Sequence, residues 1–219
     1  MATAPPGPEL LARGPWESGQ VIVSWCEEHF SPGAAKTLAA DEKIAALKER
    51  GSPSHDGLAT RLHAHATGPG GELHLTLQTL RWALRLVDGD ASGSMAALCV
   101  VRDSEGRWLA GRRAEWVATW PGRWALGAGG AVDENESPFD TLGRELHEEW
   151  SVTPERLLGE ALVMLPSGSV MFVGQAWLPE GAEVTPDHEH DEWAWWPADI
   201  DEWPDEADAP LRLMARMLG

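Results

Sequence analysis

Glu145, Glu148 and Glu149 fall within five residues of one another, and their spacing is what gives them chemical interest. On a helix, residues three and four apart share a face, so these carboxylates crowd one side, with Arg144 one turn before Glu148. The helix is well signalled. Ser137 suits an N-cap, Pro138 suits the first helical position, where its missing N–H is harmless, and Phe139, Leu142 and Leu146 recur as a narrow buried stripe. Carboxylates gathered near a helix C-terminus meet the negative end of the dipole as well as one another. Such a cluster loses stability unless a cation occupies it, and hard oxygen donors suit Mg²⁺ or Mn²⁺ better than zinc. Without a cation, the same residues read as a solvated acidic helix end in a very acidic protein.

The surrounding spacing adds to this. Gly130 is followed by five residues, then Glu136, then seven residues, then Arg144-Glu145-Leu146-His147-Glu148-Glu149-Trp150-Ser151-Val152. That order resembles the signature of the Nudix hydrolases, with Ser151 where the family has glycine. The resemblance implies an α/β fold, the Nudix α/β/α sandwich with a mixed sheet, and hydrolysis of a nucleoside diphosphate derivative or other organic diphosphate. It also implies that Glu145, Glu148, Glu149 and the Gly130 carbonyl hold Mg²⁺ or Mn²⁺, and that Arg144 and Glu136 orient the site. Family members often recruit a later carboxylate as ligand or base. The stretch Asp187 to Glu192 resembles that place, with Glu189 the first candidate and Glu192 the second. Thr119 to Trp124 also resembles the segment before the box in isopentenyl-diphosphate isomerases. Gly129 and Ala131 stand where those enzymes carry cysteine and histidine, so isomerisation is not expected.

Outside the signature, Arg112 and Arg113 end a predicted strand and are candidates for phosphate contact, because a guanidinium can hold phosphate oxygens in two places. Trp120 and Trp124 flank the approach to Gly130 and could stack on a substrate, although core packing is the commoner use of tryptophan. His63 and His65 form an H-x-H with no further ligand nearby in sequence and read as an ordinary, partly exposed pair.

These residues need elements to place them. From Met95 the pattern is of strands: Met95 to Arg102, a turn at Asp103 to Gly106, Arg107 to Arg113, and Trp124 to Leu126. After the signature helix come Gly159 to Leu165, Ser169 to Leu178 and Glu192 to Trp196, then an amphipathic helix over Asp205 to Leu218. Before Met95 the expectation is a mainly helical extension, residues 1–93, leading into a Nudix domain at 94–219. Residues 1–20 read as a loose Pro- and Gly-rich arm, Val21 to Trp25 as a short strand, and Gly33 to Arg50 as a helix stopping at Gly51-Ser52-Pro53. Leu77, Leu80, Leu84 and Val87 have helical spacing behind a Thr76 cap, and Asp88 to Gly93 reads as a linker. The extension could cap the site, form a homodimer interface or recruit a partner.

Composition narrows the partners. A formal charge of -18 over 219 residues repels polyanions, so duplex nucleic acid is not expected, whereas a small diphosphate screened by cations is compatible. No run is apolar enough to span a bilayer and no signal peptide is read, so the expected setting is cytoplasmic. Cys26 and Cys99 match no metal or redox spacing and are expected as free thiols. Two functions remain: a metal-dependent hydrolase, or a non-catalytic sensor on the same fold, which Ser151 and the extension would suit.

Overall fold

In the computed structural model, residues 7–51, 56–87, 93–117 and 119–218 are described. The strands and helices run β1 (Glu9–Trp16), β2 (Val21–Trp25), α1 (Ala34–Glu49), β3 (Leu58–Thr67), β4 (Leu73–Arg81), β5 (Met95–Arg102), β6 (Trp108–Arg113), β7 (Trp124–Leu126), β8 (Ala128–Ala131), α2 (Pro138–Trp150), β9 (Arg156–Met164), β10 (Val170–Trp177), β11 (His190–Trp196) and α3 (Ala209–Leu218).

A large mixed sheet has the order β1-β9-β10-β5-β6-β11, with β7 paired to β6 and β8 to β5. Strand β5 is its centre. It runs parallel to β10 and antiparallel to β6 and β8. Its unbroken apolar run follows from burial on both faces. Met95, Ala97, Cys99 and Val101 join Phe139, Leu142 and Leu146 of α2, while Val100 joins Trp108, Trp203 and Leu211, the last from α3. Helices on both faces of a mixed sheet make the α/β/α sandwich that the signature implied.

Helix α2 starts as the sequence indicated. The Ser137 hydroxyl accepts from the Asp140 N–H, the Asp140 carboxylate accepts from the Ser137 N–H at 2.9 Å, and Pro138 occupies the first turn. Its C-terminal turn ends at Ser151 in the left-handed conformation, φ 56° and ψ 32°. Helix α1 also stands where expected, with Ala40, Ile44 and Leu47 packed on Leu80, Ala83 and Leu84.

Three expectations fail in the first 93 residues. The extension is not mainly helical, because its described residues hold one α-helix, α1, beside β1 to β4. Leu77 lies in β4, not in a helix capped by Thr76, and the helical period there coexisted with a stricter one. Leu73, Leu75 and Leu77 alternate with His74, Thr76 and Gln78, and β4 is the middle of a second sheet, parallel to β2 and antiparallel to β3. Leu84 sits in a short 3-10 turn, Trp82–Leu86. Lastly, the supposed loose arm forms β1, which pairs with β9 at the edge of the large sheet. Gly14-Pro15 is tolerated there because an edge strand with register shifts needs no continuous row of N–H donors. Burial of Ala12 and Trp16 fastens it. The linker expected at Asp88 to Gly93 falls on residues 88–92, which lie outside the described residues, as do Ser52 and Pro53.

The two sheets share a core. Trp16, Val21, Leu73, Leu75 and Leu77 pack in the same cluster as Phe139, Leu142 and Phe172. The second sheet also holds the loop that leads into α2: Thr60 Oγ1 donates to the Asp133 carbonyl at 2.9 Å, and Thr79 Oγ1 to Glu134 Oε1 at 3.0 Å.

Candidate active site around the signature helix

Helix α2 lies against β8, and the contact is made by glycines. Gly130 has room for no side chain, because a Cβ there would collide with the Glu145 carboxylate, and one on Gly129 would crowd the Ala97 carbonyl. Glu145 and Glu149 are therefore buried against β8, at 8% and 5% exposure, whereas Glu148 one turn away is exposed. The Gly129 N–H donates to Glu149 Oε1 at 3.1 Å.

Arg144 holds this end of the helix. Its Nε and Nη2 donate to the two Glu136 oxygens at 2.9 and 3.1 Å, Nη1 donates to Glu145 at 2.7 Å and Glu148 at 3.1 Å, and Nη2 also reaches the Ala131 carbonyl. Partial burial works to raise the Glu136 pKa, but the Arg144 guanidinium and the Thr141 hydroxyl outweigh it and hold that carboxyl below the ordinary value. Glu149 goes the other way. Its burial first, and then repulsion from Glu145, raise its pKa well above that of an exposed carboxylate, despite the Gly129 N–H and Arg113. Glu145 is raised by burial too, against the pull of Arg144.

The opposite wall comes from β6 and the loop before β11. Arg113 Nη1 stands 3.0 Å from Glu189 Oε2 and 3.8 Å from Glu149 Oε2. The Ala114 N–H donates to the Glu189 carbonyl at 2.7 Å, and the Asp187 N–H to the Glu149 carbonyl at 2.8 Å, so this loop is tied to both β6 and α2. His190, 8% exposed, packs 4.4 Å from the Trp150 ring centroid. Its Nδ1 lies 3.2 Å from Asp187 Oδ1 and its Nε2 3.6 Å from Glu149 Oε2.

Two adjoining cavities open over this cluster. One of about 460 Å³ is lined by Arg113, Asp133, Arg144, Glu145, Glu148, Glu149 and Glu189. The other, of about 250 Å³, is walled by Leu98, Trp120, Leu126, Leu165, Met171 and the backbone from Gly127 to Gly130. Arg85, Arg113, Thr119, Gly129, Gly130 and Glu149 line both.

Most of the residues chosen from sequence meet here: Gly130, Glu136, Arg144, Glu145, Glu148, Glu149, Glu189, Arg113 and Trp120. Two do not. Strand alternation turns Arg112 away from Arg113, and its Nη2 pairs with Glu192 at 2.6 Å across β6 and β11, which removes Glu192 as well. Trp124 packs on Trp196 at 5.4 Å in the core beneath α3. Sequence reading missed His190, whose neighbours Glu189 and Glu192 drew attention by charge, and Arg85, which no local pattern marks.

The donor set, carboxylates beside a backbone strand, matches what a hard divalent cation takes. Two carboxylates whose pKa values are raised chiefly by burial are also groups that a cation would stabilise. As the side chains stand, no three His, Cys, Asp or Glu among the described residues converge on one point. Arg144 draws the Glu145 and Glu148 oxygens to its own guanidinium.

Residues 94–214 match the family described as NUDIX domain. No curated protein matches the chain. Among solved structures, DR0079 from Deinococcus radiodurans aligns with a TM-score of 0.50 at 16% identity, over 74% of this chain and 89% of that one. That likeness is one of fold. A MutT protein from Methanosarcina mazei Go1 aligns at 25% identity and TM-score 0.44, over 56% of this chain and 90% of that one. For a MutT NUDIX hydrolase from Burkholderia pseudomallei the values are 20% and 0.46, over 57% and 98%.

Proposed function

Since this chain belongs to the Nudix family, we propose that it is a pyrophosphohydrolase that cleaves the diphosphate linkage of a nucleoside diphosphate derivative or another organic diphosphate, with Mg²⁺ or Mn²⁺. The observation that carries this reading is the burial of Glu145 and Glu149 against Gly129 and Gly130, facing a cavity that Arg113, Arg144 and Glu189 close. In this reading Glu145, Glu148, Glu149 and the Gly130 carbonyl hold the cation. When bound, it would neutralise the diphosphate and acidify the attacking water.

The protein's own groups do the rest. Arg144 fixes Glu136, Glu145 and Glu148 in place, so the donors do not drift apart in a site of like charge. Glu189, held 3.0 Å from Arg113, is positioned to take the proton from water. Arg113, and not Arg112, faces the phosphate, and Trp120 offers a ring at the mouth of the less polar cavity. The same proposal takes residues 94–219 as the catalytic domain and places the protein in the cytoplasm. No helix among the described residues is long and apolar enough to cross a membrane.

Non-catalytic sensing, the other expectation, drew on Ser151. That serine adopts the left-handed turn a glycine would take, so the helix ends without displacing Glu148 or Glu149, and no structural observation favours the sensor. The deciding experiment follows product release from nucleoside triphosphates, nucleotide sugars, dinucleoside polyphosphates and prenyl diphosphates, with Mg²⁺, Mn²⁺ or chelator. Metal-dependent cleavage that disappears in Glu148→Gln and Glu149→Gln is the expected result. Unchanged turnover in both variants would remove the assignment.

A further inference from the structure

Arg85 belongs to the 3-10 turn that follows β4, outside the residues that match the family, yet it lines both cavities of the site. Three arginines line the larger cavity: Arg85, Arg113 and Arg144. Arg144 is bonded to Glu136, Glu145 and Glu148, and Arg113 is held by Glu189 with Glu149 beyond. Arg85 differs from both. Among the described residues no carboxylate lies within ion-pair distance of its guanidinium, whose recorded contact is with the Trp82 ring, 5.6 Å from Cζ to centroid. The same cavity is lined by Asp133, Glu145, Glu148, Glu149 and Glu189, and a half-buried guanidinium that forms an ion pair with none of them is left able to take an anionic ligand.

We propose that Arg85 is a substrate-binding residue that grips phosphate oxygens of the diphosphate, so that the segment before the Nudix domain supplies part of the active site. This rests on the reading of the site as one for organic diphosphates. A ligand reaching from the carboxylate end into the less polar cavity passes Arg85 and Arg113, which line the junction of the two. A guanidinium can hold two phosphate oxygens at once and stays charged whatever the pH, which suits it to this place. Burial lowers the Arg85 pKa, against the attraction of Glu145 and Asp133, in keeping with a guanidinium short of solvent and of a direct partner.

The way this segment is attached supports a fixed placement. Trp82 N donates to the Gly57 carbonyl at 2.8 Å, and the Ala83 N–H reaches Asp56 Oδ1 at 3.2 Å. Ala83 and Leu84 are buried against α1. Arg85 is thus mounted on a packed turn, which lowers the entropy lost when it closes on a ligand.

The test is calorimetric binding of methylenediphosphonate, a diphosphate that water does not cleave, with Mg²⁺ and with chelator, to the whole protein and to Arg85→Gln and Arg85→Lys. The glutamine variant should bind about tenfold or more weakly, as for loss of a charged hydrogen bond. The lysine variant should recover part of that loss, since it keeps the charge and gives up the planar fork. Melting temperatures without ligand should match for all three proteins. If the glutamine variant melts early, the lysine variant decides: retained affinity there supports the phosphate contact. Equal affinity in all three proteins would overturn the role of Arg85 alone. Failure of the wild-type protein to bind the diphosphate with Mg²⁺ present would overturn the diphosphate reading, and this role with it.

Discussion

Gly130 and Glu145 touch: the Cα of the glycine lies so close to the carboxylate that a Cβ would overlap Oε1. Both positions were marked by spacing in the sequence, fifteen residues apart, and the structure gives the reason a glycine is needed, which is close approach and not a left-handed backbone.

Gly130→Ala should therefore push Glu145 out of its place while leaving most of the fold intact. Expected is a large fall in Mn²⁺ affinity, read by titration, and loss of turnover. Gly143→Ala is the control on the same helix. Nothing lies within 4 Å of a Cβ there, and alanine in a helix interior should raise stability by about 1 kcal/mol. Equal metal affinity in Gly130→Ala and wild type would show that Glu145 is free to move aside.

Ser151 holds φ 56° where the family carries glycine. A left-handed residue with a Cβ costs roughly 1–2 kcal/mol, part of which a glycine would return as greater freedom of the unfolded chain. Ser151→Gly should stabilise the protein by about 0.5–1 kcal/mol in urea unfolding. Catalytic rate should change little, because the carboxylates precede the turn. A loss of stability would mean that the serine contributes something the backbone does not reveal.

Trp16 fastens the first strand to the domain. It is 2% exposed, stacks on Phe172 with centroids 6.2 Å apart, and its indole N–H donates to the Gly71 carbonyl at 3.0 Å. Trp16→Ala should destabilise by about 3–5 kcal/mol. The drop should appear in a single cooperative transition, since the ring bridges both sheets. Two separate transitions in the variant would contradict a shared core.

The signature helix, the strands from Met95 onward and the cluster around Gly130 were legible because local signals agreed there: a cap, a period, and charges at fixed intervals. Thr76 to Val87 was misread because two periods overlapped in one leucine-rich stretch, and pairing with β2 and β3, which chose between them, is non-local. Residues 9–16 looked loose for a similar reason. A strand interrupted by Gly14-Pro15 is stable only because β9 supplies a partner. Arg85 had no signal at all. Its meaning comes from the cavity it faces, which a one-dimensional pattern does not contain. Arg112 and Arg113 are the reverse case, adjacent in sequence and separated by the pleat.

Arg144 and Glu136 give a pH signature that needs no substrate. The Glu136 carboxylate receives two hydrogen bonds from Arg144 and one from Thr141, with the Asp133 N–H at 3.4 Å, and its pKa lies below the ordinary 4.5. A depressed folded-state pKa means that protons bind the unfolded chain more readily, so the stabilisation is complete above about 4.5 and disappears as pH falls through the lower, folded value. The charged hydrogen bonds are worth about 1.5–3 kcal/mol. At pH 7 Glu136→Gln should be less stable than wild type by roughly that amount. Below about pH 4 the difference should shrink towards zero as wild type loses the same charge. Urea unfolding of both proteins across that range measures it. A gap that stayed constant from neutral to acid pH would mean that shape, and not charge, is what Glu136 contributes to holding Arg144.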